Sequence, residues 1–553
     1  MIPKLRPAAG LRISFVLWCL TLAFGVQAAW AEETGVFRLQ TRARVPLSQL
    51  EDADFVNRDS VPFMGFLDRD YIMKYQTVEW KASETAFIVC DVWNYHGCMG
   101  AVRRVNQMVP RMNEMLKAAR NEGALIIFSP SGVMDKYGDH PARKRTIRVK
   151  EEMMAKGERL NFSTAWNNCG PNEPPLPIDA SDGGCRGKCR YEAHRFGHWP
   201  VSAQHPGLEI MEEDGLSEND EIYYLLRQRG IKNVVILGVH VNMCVLGRPF
   251  GIRNMVAAGY NIVLMRDMTD SMYNSESAPY VSHIRGTELV VAHIERHWCP
   301  TIVSSDILGG RAFRFEEDQR PHVAFIVNDD SLHADKTIPL FADDLMAKQD
   351  VYCTIIHGEG RGAYRHLDEL DDSDAVVIFQ KDQPIPPEMR EKLEQLYREG
   401  RGVVALRNAC RAFGARSEQS QNDALFGDDF AARVLGAEFV LPDREQSVAG
   451  GCFVSNAPEV AGQRILRGVE GNSWRTEGGI YQTRLAEGAV VLMRAKTRKG
   501  GEFPAAWLCK TDVASPRVAY SSLGYPSDFD REQFRNLIRN LIFWSMNLPC
   551  NDQ

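Results

Sequence analysis

Apolar positions along this chain gather in short blocks that alternate with stretches of helical spacing. TAFIVC over 85–90 is a continuous apolar run of strand length, and the stretch 100–122 carries apolar residues at three- and four-residue intervals. The same reading predicts strands at 124–129, 208–211, 234–239 and 261–265, with helices at 218–229 and 245–258 between them. Strands alternating with helices predict a parallel sheet covered on both faces. The stretch 130–206 is too long for an ordinary connection and reads as an irregular lid or cover. After a charged, Gly- and Pro-containing boundary at 309–321, a second series begins. Its strands fall at 322–328, 351–356, 375–380 and 402–407, and its helices at 337–349 and 387–399. The fold class is therefore α/β, with two parallel-sheet three-layer domains at about 38–310 and 320–548.

Length agrees with this division, since 553 residues exceed one ordinary core. A net charge of -7 argues against nucleic acid or an anionic membrane surface as the main partner. At the amino terminus Lys4, Arg6 and Arg12 precede an apolar run over 13–26, and Ala29-Trp30-Ala31 offers small residues at the positions a signal peptidase reads. Residues 1–31 are thus expected to be a cleaved signal peptide, with the mature protein exported, periplasmic or secreted, and off the membrane. Export changes the reading of the 13 cysteines. Cys169, Cys185 and Cys189 share a Gly/Pro/Asp-rich loop where a disulfide is expected, with free thiols or a zinc site completed by His194 or His198 as alternatives.

The candidate chemistry lies at two strand ends. In VVILGVHVNMCVLG, Cys244 sits at a strand-to-helix turn, where backbone N–H groups can stabilise a thiolate or a developing oxyanion. In TAFIVCDVW, Asp91 follows a strand directly. Functional residues of a parallel sheet gather at the carboxyl ends of its strands, so the two can share one crevice. The strand followed by Asp91, the turn Gly238-x-x-x-Asn242-x-Cys244-Val245 and the later Ala-x-x-Gly-Tyr resemble the isochorismatase-like cysteine hydrolases, over roughly residues 38–310. That family includes nicotinamidases and carbamoylsarcosine amidases. The resemblance implies Cys244 as nucleophile, Asp91 as base and hydrolysis of a small amide or related C–N bond.

The same family carries a third catalytic residue, a lysine at the end of the strand before the 218–229 helix. Here GLEIMEEDGLS puts Glu212 in that place, with Glu213 next. A carboxylate there disfavours a thiolate, so Arg248, Lys136 or Arg143 is considered as the replacement cation, beside altered chemistry or a binding pocket without turnover. Trp93, Tyr95, His240 and Asn242 are candidate substrate-binding walls, and Arg248 joins them. His96, Asp267, Asp270, His283 and Arg285 are further polar residues near strand ends. Trp93 stands where metal-binding relatives carry histidine, so no metal and no cofactor are expected.

From about 320 to 548 the pattern resembles ThuA-like (trehalose-utilisation) proteins of the class I glutamine amidotransferase-like fold. The residues that carry it are FPAAWL and RVAYSSLGYPSDFDREQFRNLIRNLIFWSMN. Cys410 lies three residues past Arg407 at the strand end, so no Cys–His–Glu triad is assigned, and His333 and Arg407 are weak site candidates. Two further readings stay open beside the hydrolase. One is a non-catalytic binding protein for a small metabolite or sugar, and the other a carbohydrate-processing role led by the second domain. A small molecule is the expected partner, and self-association into a homo-oligomer stays open.

Overall fold

The computed structural model describes residues 35–46, 48, 70–167, 170, 173–185, 201–413, 424–440, 451–469, 473–498, 500–509 and 516–550. The expected leader, Cys169, Cys189, His194 and His198 lie outside them. Among the described residues no helix is long and apolar enough to cross a membrane.

The first sheet has eight strands: β1 (Val36–Pro46), β2 (Tyr71–Lys81), β3 (Thr85–Cys90), β4 (Leu125–Ser129), β5 (Gly215–Leu216), β6 (Asn233–Val239), β7 (Asn261–Asp270) and β8 (Thr301–Ile302). They lie in the order β2-β1-β8-β7-β6-β3-β4-β5. From β8 to β5 all pairs are parallel, and β1 adds the antiparallel hairpin with β2 at one edge. Every residue of β3 and β6 is buried. This is what continuous apolar runs without alternation demand, since a central parallel strand is covered on both faces. The helices α1 (Met99–Asn121), α2 (Pro141–Ala155), α3 (Glu221–Arg229), α4 (Cys244–Gly247), α5 (Ile252–Ala257), α6 (His283–His297) and α7 (Ser305–Leu308) supply most of the remaining regular structure. On α1 the buried face is Val105, Met108, Met112, Met115 and Leu116.

Three sequence expectations change here. The 130–206 section is not wholly irregular, because α2 occupies Pro141–Ala155, opened by a first-turn proline and by the His140 side chain accepting from the Ala142 N–H. The single helix expected at 245–258 is two short ones, separated by Arg248, Pro249, Phe250 and Gly251. The strand before α3 is Gly215–Leu216 rather than 208–211.

The second sheet has nine strands in the order β10-β9-β11-β12-β19-β18-β17-β14-β15. Its parallel half is β9 (His322–Asn328), β10 (Tyr352–His357), β11 (Ala375–Gln380), β12 (Gly402–Leu406) and β19 (Val518–Ser521). The other half, β14 (Cys452–Asn456), β15 (Trp474–Thr476), β17 (Val490–Lys496) and β18 (Glu502–Cys509), is antiparallel. β13 (Ala437–Val440) and β16 (Gln482–Leu485) form a separate ribbon. The sheet is thus mostly parallel only in its first part. Helices α8 (Ala334–Lys348), α9 (Pro387–Arg398) and α11 (Glu532–Ser545) cover it, with the short α10 (Phe430–Arg433) beside the ribbon.

The β1–β2 hairpin belongs to both halves. β1 pairs with β8 of the first sheet, whereas Tyr71 and Met73 of β2 are buried in the core built on β9, α8 and α11. Arg44 of β1 binds Glu295 of α6 and Asp343 of α8, with Tyr71 Oη donating to Asp343 at 3.0 Å.

Candidate active site

Register places the site. β3 and β6 pair in parallel with Cys90 opposite Gly238, so Asp91 and the turn after Val239 leave the sheet side by side. Gly238 is required there: its φ is +105°, and a Cβ on it would lie 2.1 Å from the Cys90 carbonyl oxygen. Asp91 has φ +52°, the left-handed turn that swings its carboxylate out of the strand direction.

The Asp91 carboxylate is fully buried and held on both oxygens. Oδ1 accepts the Ser131 N–H at 2.8 Å, and Oδ2 accepts Arg248 Nε at 3.0 Å, with Arg248 Nη2 at 2.9 Å. Cys244 is 8% exposed, and its thiol hydrogen-bonds Asp91. The His240 N–H also points at the sulfur. Burial and the Asp91 charge push the Cys244 thiol up, and Arg248 only partly opposes them. Burial likewise raises the Asp91 carboxyl against the pull of Arg248. The resting arrangement is therefore a neutral thiol donating to a carboxylate that an arginine neutralises. It is not a thiolate stabilised by a lysine.

Of the three cations considered for the lysine's role, only Arg248 touches Asp91. Lys136 Nζ donates to the Ser202 carbonyl, and Arg143 pairs with Glu221. Glu212 has no part in the site. It sits on an exposed turn before β5, and the residue that follows the strand is the buried Ser217. The error was one of strand position: LEIM reads as apolar, yet the strand comes four residues later.

The expected walls divide into two groups. Trp93 is 7% exposed, donates through Nε1 to the Ser131 carbonyl and stacks on His96 at 6.1 Å. His240, 2% exposed, stands edge-on to His96 at 5.2 Å. Among the described residues its Nε2 has no hydrogen-bond partner. Burial, helped by His96, holds His240 well below the usual histidine range, so the ring is neutral. Tyr95 is half-buried beside them in sequence. Asn242, by contrast, is spent on scaffolding: its amide donates to the Met272 carbonyl at 3.0 Å and accepts the Met272 N–H at 2.9 Å.

Trp166 was not singled out from sequence. It is 50% exposed, and the Arg248 guanidinium lies 4.9 Å from its ring centre. No periodicity marks it, because it sits in the irregular stretch after α2. The following Asn167 N–H donates to the Gly247 carbonyl at 2.7 Å, which fixes the segment over α4.

The polar residues near the end of β7 also separate. Asp270 is fully buried between Arg104 Nε at 2.7 Å and His283 Nε2 at 2.7 Å. Burial pushes its carboxyl up, but the charges of His283 and Arg104 outweigh it and hold the group well below the usual carboxylate range. Its stabilisation is present above the unfolded carboxyl pKa of about 4 and is lost as pH falls. Asp270→Asn, which strands Arg104, is expected to cost about 3 kcal/mol and to flatten the acid limb of a urea-unfolding series. Asp267 instead accepts from Ser304 and Phe313, and Arg285 pairs with Glu288 at 3.0 Å.

Of the three loop cysteines among which a disulfide is expected, Cys185 is buried against Cys98, Ala101 and Met272, and Cys169 and Cys189 lie outside the described residues. A hydrogen bond with Cys185 lowers the Cys98 thiol. Timed alkylation at pH 7.5 with peptide mapping is expected to modify Cys98 before Cys244.

At the matching end of the second sheet Arg407 follows β12 with φ +50°, the turn position that Cys410 does not reach. Its guanidinium donates to the carbonyl of Ser522 at 2.7 Å and to that of Gly479, and lies 5.5 Å from the Tyr481 ring. Asn408 donates to Asp329 at 2.6 Å. His333 is the residue just before α8, with φ +51°. Among the described residues one His/acid cluster, His322, Glu369 and Asp372, has ligand atoms close together, but the His322 ring already contacts Asp372 at 2.9 Å and Thr354 at 2.8 Å.

Residues 326–545 match the family model described as ThuA, trehalose utilisation. No curated protein matches the chain. Among solved structures, a ThuA-like protein from Bacteroides uniformis is 13% identical, covering 43% of this chain and 95% of its own, with a TM-score of 0.30. A cysteine hydrolase from Pseudomonas syringae is 16% identical (41% and 92%, TM-score 0.26). An isochorismatase family protein from Burkholderia thailandensis is also 16% identical (41% and 94%, TM-score 0.23). The chain has two α/β domains, the first on a mostly parallel sheet and the second on a sheet that is parallel in its first half, and residues 326–545 are similar to the family described as ThuA, trehalose utilisation.

Proposed function

We propose that the first domain hydrolyses a small amide or related C–N bond through Cys244, with Asp91 as base, in an exported protein. The observation that carries this reading is the buried Cys244 thiol bonded to the Asp91 carboxylate at two adjacent strand ends. As the sulfur attacks the carbonyl carbon, the S–H proton passes to Asp91 and charge develops on the carbonyl oxygen near the turn's N–H groups. The C–N bond breaks when Asp91 returns that proton to the leaving nitrogen, leaving a thioester on Cys244. Water then attacks the thioester, Asp91 takes its proton and the thiol leaves with it, so acid and free enzyme are released. Arg248 holds Asp91 in place throughout, with its guanidinium 4.9 Å from the Trp166 ring centre.

The test is to quench the full chain within seconds of mixing with a panel of small primary amides and to weigh the Cys244 peptide. An acyl adduct on Cys244, absent from Cys244→Ala, is the expected result. Ammonia release that persists in Cys244→Ala would overturn the reading. The raised thiol favours a second reading, a binding site for small amides or acids without turnover, for which binding without adduct or ammonia is the signature. A carbohydrate-processing role through the second domain rests on the ThuA match.

A further inference from the structure

A cleft of about 160 Å³ lies between the two domains, away from Cys244. Six arginines line it. Five are ion-paired: Arg42 and Arg44 with Glu295, Arg44 also with Asp343, Arg285 and Arg320 with Glu288, and Arg314 and Arg320 with Asp318. Arg266 is the exception. Among the described residues its one hydrogen bond is Nη1 to Thr301 Oγ1 at 3.2 Å, and no carboxylate comes within ion-pair distance of it. The adjacent acids are otherwise engaged. Asp267 accepts from Ser304 N–H and O–H and from Phe313 N–H, and Asp306 accepts from Gln40 and Val303 N–H. Burial, reinforced by the charge of Arg42, pushes Arg266 down to about 10. It remains a cation at neutral pH, and among the described residues four of its five N–H donors have no protein partner.

We propose that this cleft binds the carboxylate of a small organic acid, anchored by the Arg266 guanidinium, at a site separate from Cys244 and shared by both domains. A planar fork of donors suits a planar carboxylate. Among the described residues Arg266 is the one lining arginine without an ion pair, so the charge that fits is single. Ile284, Val291, Phe313, Met346 and Ile355 supply apolar surface for the body of the acid, with Phe313 and Val291 from one domain's side and Met346 and Ile355 from the other. Binding of such a ligand bridges β7 and β10 and links occupancy of the cleft to the relative seating of the two sheets.

The experiment is calorimetric titration of the full chain with straight-chain carboxylates from acetate to hexanoate, against the matching alcohols at constant ionic strength. Saturable binding is expected, tightening about fourfold per methylene until the cleft is filled, with each alcohol at least tenfold weaker than its acid. Arg266→Met is expected to lose the acid-over-alcohol preference, and Cys244→Ala to keep it. No saturable binding of any acid, equal binding of acids and alcohols, a preference that survives in Arg266→Met or one lost in Cys244→Ala would each overturn the proposal. Should Arg266→Met not fold, Arg266→Lys replaces it, and unchanged affinity in that variant overturns the proposal. Because the readout is binding in the cleft, its outcome is independent of whether Cys244 turns over an amide.

Discussion

Arg248→Met is expected to destabilise the protein by about 3 kcal/mol in denaturant unfolding at pH 7, because it leaves the fully buried Asp91 carboxylate without a cation. The loss carries a pH signature that separates it from lost packing. With burial opposed only by the Cys244 and Ser131 hydrogen bonds, the folded Asp91 carboxyl rises further above its unfolded value of about 3.9. A raised carboxyl binds its proton more tightly in the folded state, so stability falls as pH rises through the interval between the two values. Below about pH 4 the carboxyl is neutral in both states and the penalty vanishes. Asp91→Asn in the same background is expected to restore most of the loss, since it removes the charge that Arg248 neutralised. A penalty that stays constant between pH 4 and 8 would show that Arg248 acts through its contact with Trp166 instead.

The second large effect is on turnover. Once a substrate amide is in hand, Cys244→Ala is expected to reduce kcat by about 10⁴-fold or more, whereas Asp91→Asn should cost about 10²- to 10⁴-fold, the range of a general base. The order matters because Asp91 also raises the thiol. Asp91→Asn therefore lowers the Cys244 thiol pKa while removing its proton acceptor, so alkylation at pH 8 should speed up as hydrolysis slows. A thiolate mechanism predicts the two rates to fall together. Opposite movement of alkylation and turnover is thus the discriminating result, and parallel movement would count against Asp91 as acceptor.

Much of this architecture was legible because central parallel strands leave a plain mark. β3 and β6 are unbroken apolar runs that nothing but burial on both faces explains, and a functional residue directly after each run is visible without coordinates. β5 left no such mark. Two residues pair with β4, fewer than any periodicity can report, so LEIM drew the strand upstream and carried Glu212 into a site it does not enter. Arg248 could be named as a candidate from its place four residues after Cys244, but its choice over Lys136 and Arg143 needed the break between α4 and α5. Asn242 shows the converse limit. Its place in the cysteine turn marks it for the site, yet both ends of its amide hold Met272, a contact thirty residues away in sequence. In the antiparallel half of the second sheet, β14, β15 and β17 are short segments that carry exposed positions among their buried ones, which leaves no continuous apolar run to read.

The hairpin at the edge of the first sheet changes what a domain means in this chain. Its outer strand donates Tyr71 and Met73 to the second hydrophobic core, so a cut near residue 315 divides the sequence cleanly and the packing badly. The amino-terminal piece would carry an orphaned apolar strip on β2, and the carboxyl-terminal piece would have an open hole beside α8. Such fragments are poor reagents for assigning activities one domain at a time. The intact chain should behave as one cooperative unit, whose cysteine site and cleft inherit a common mechanical ground, and any adjustment in the seating of one sheet is felt by the other through the eleven residues of β2.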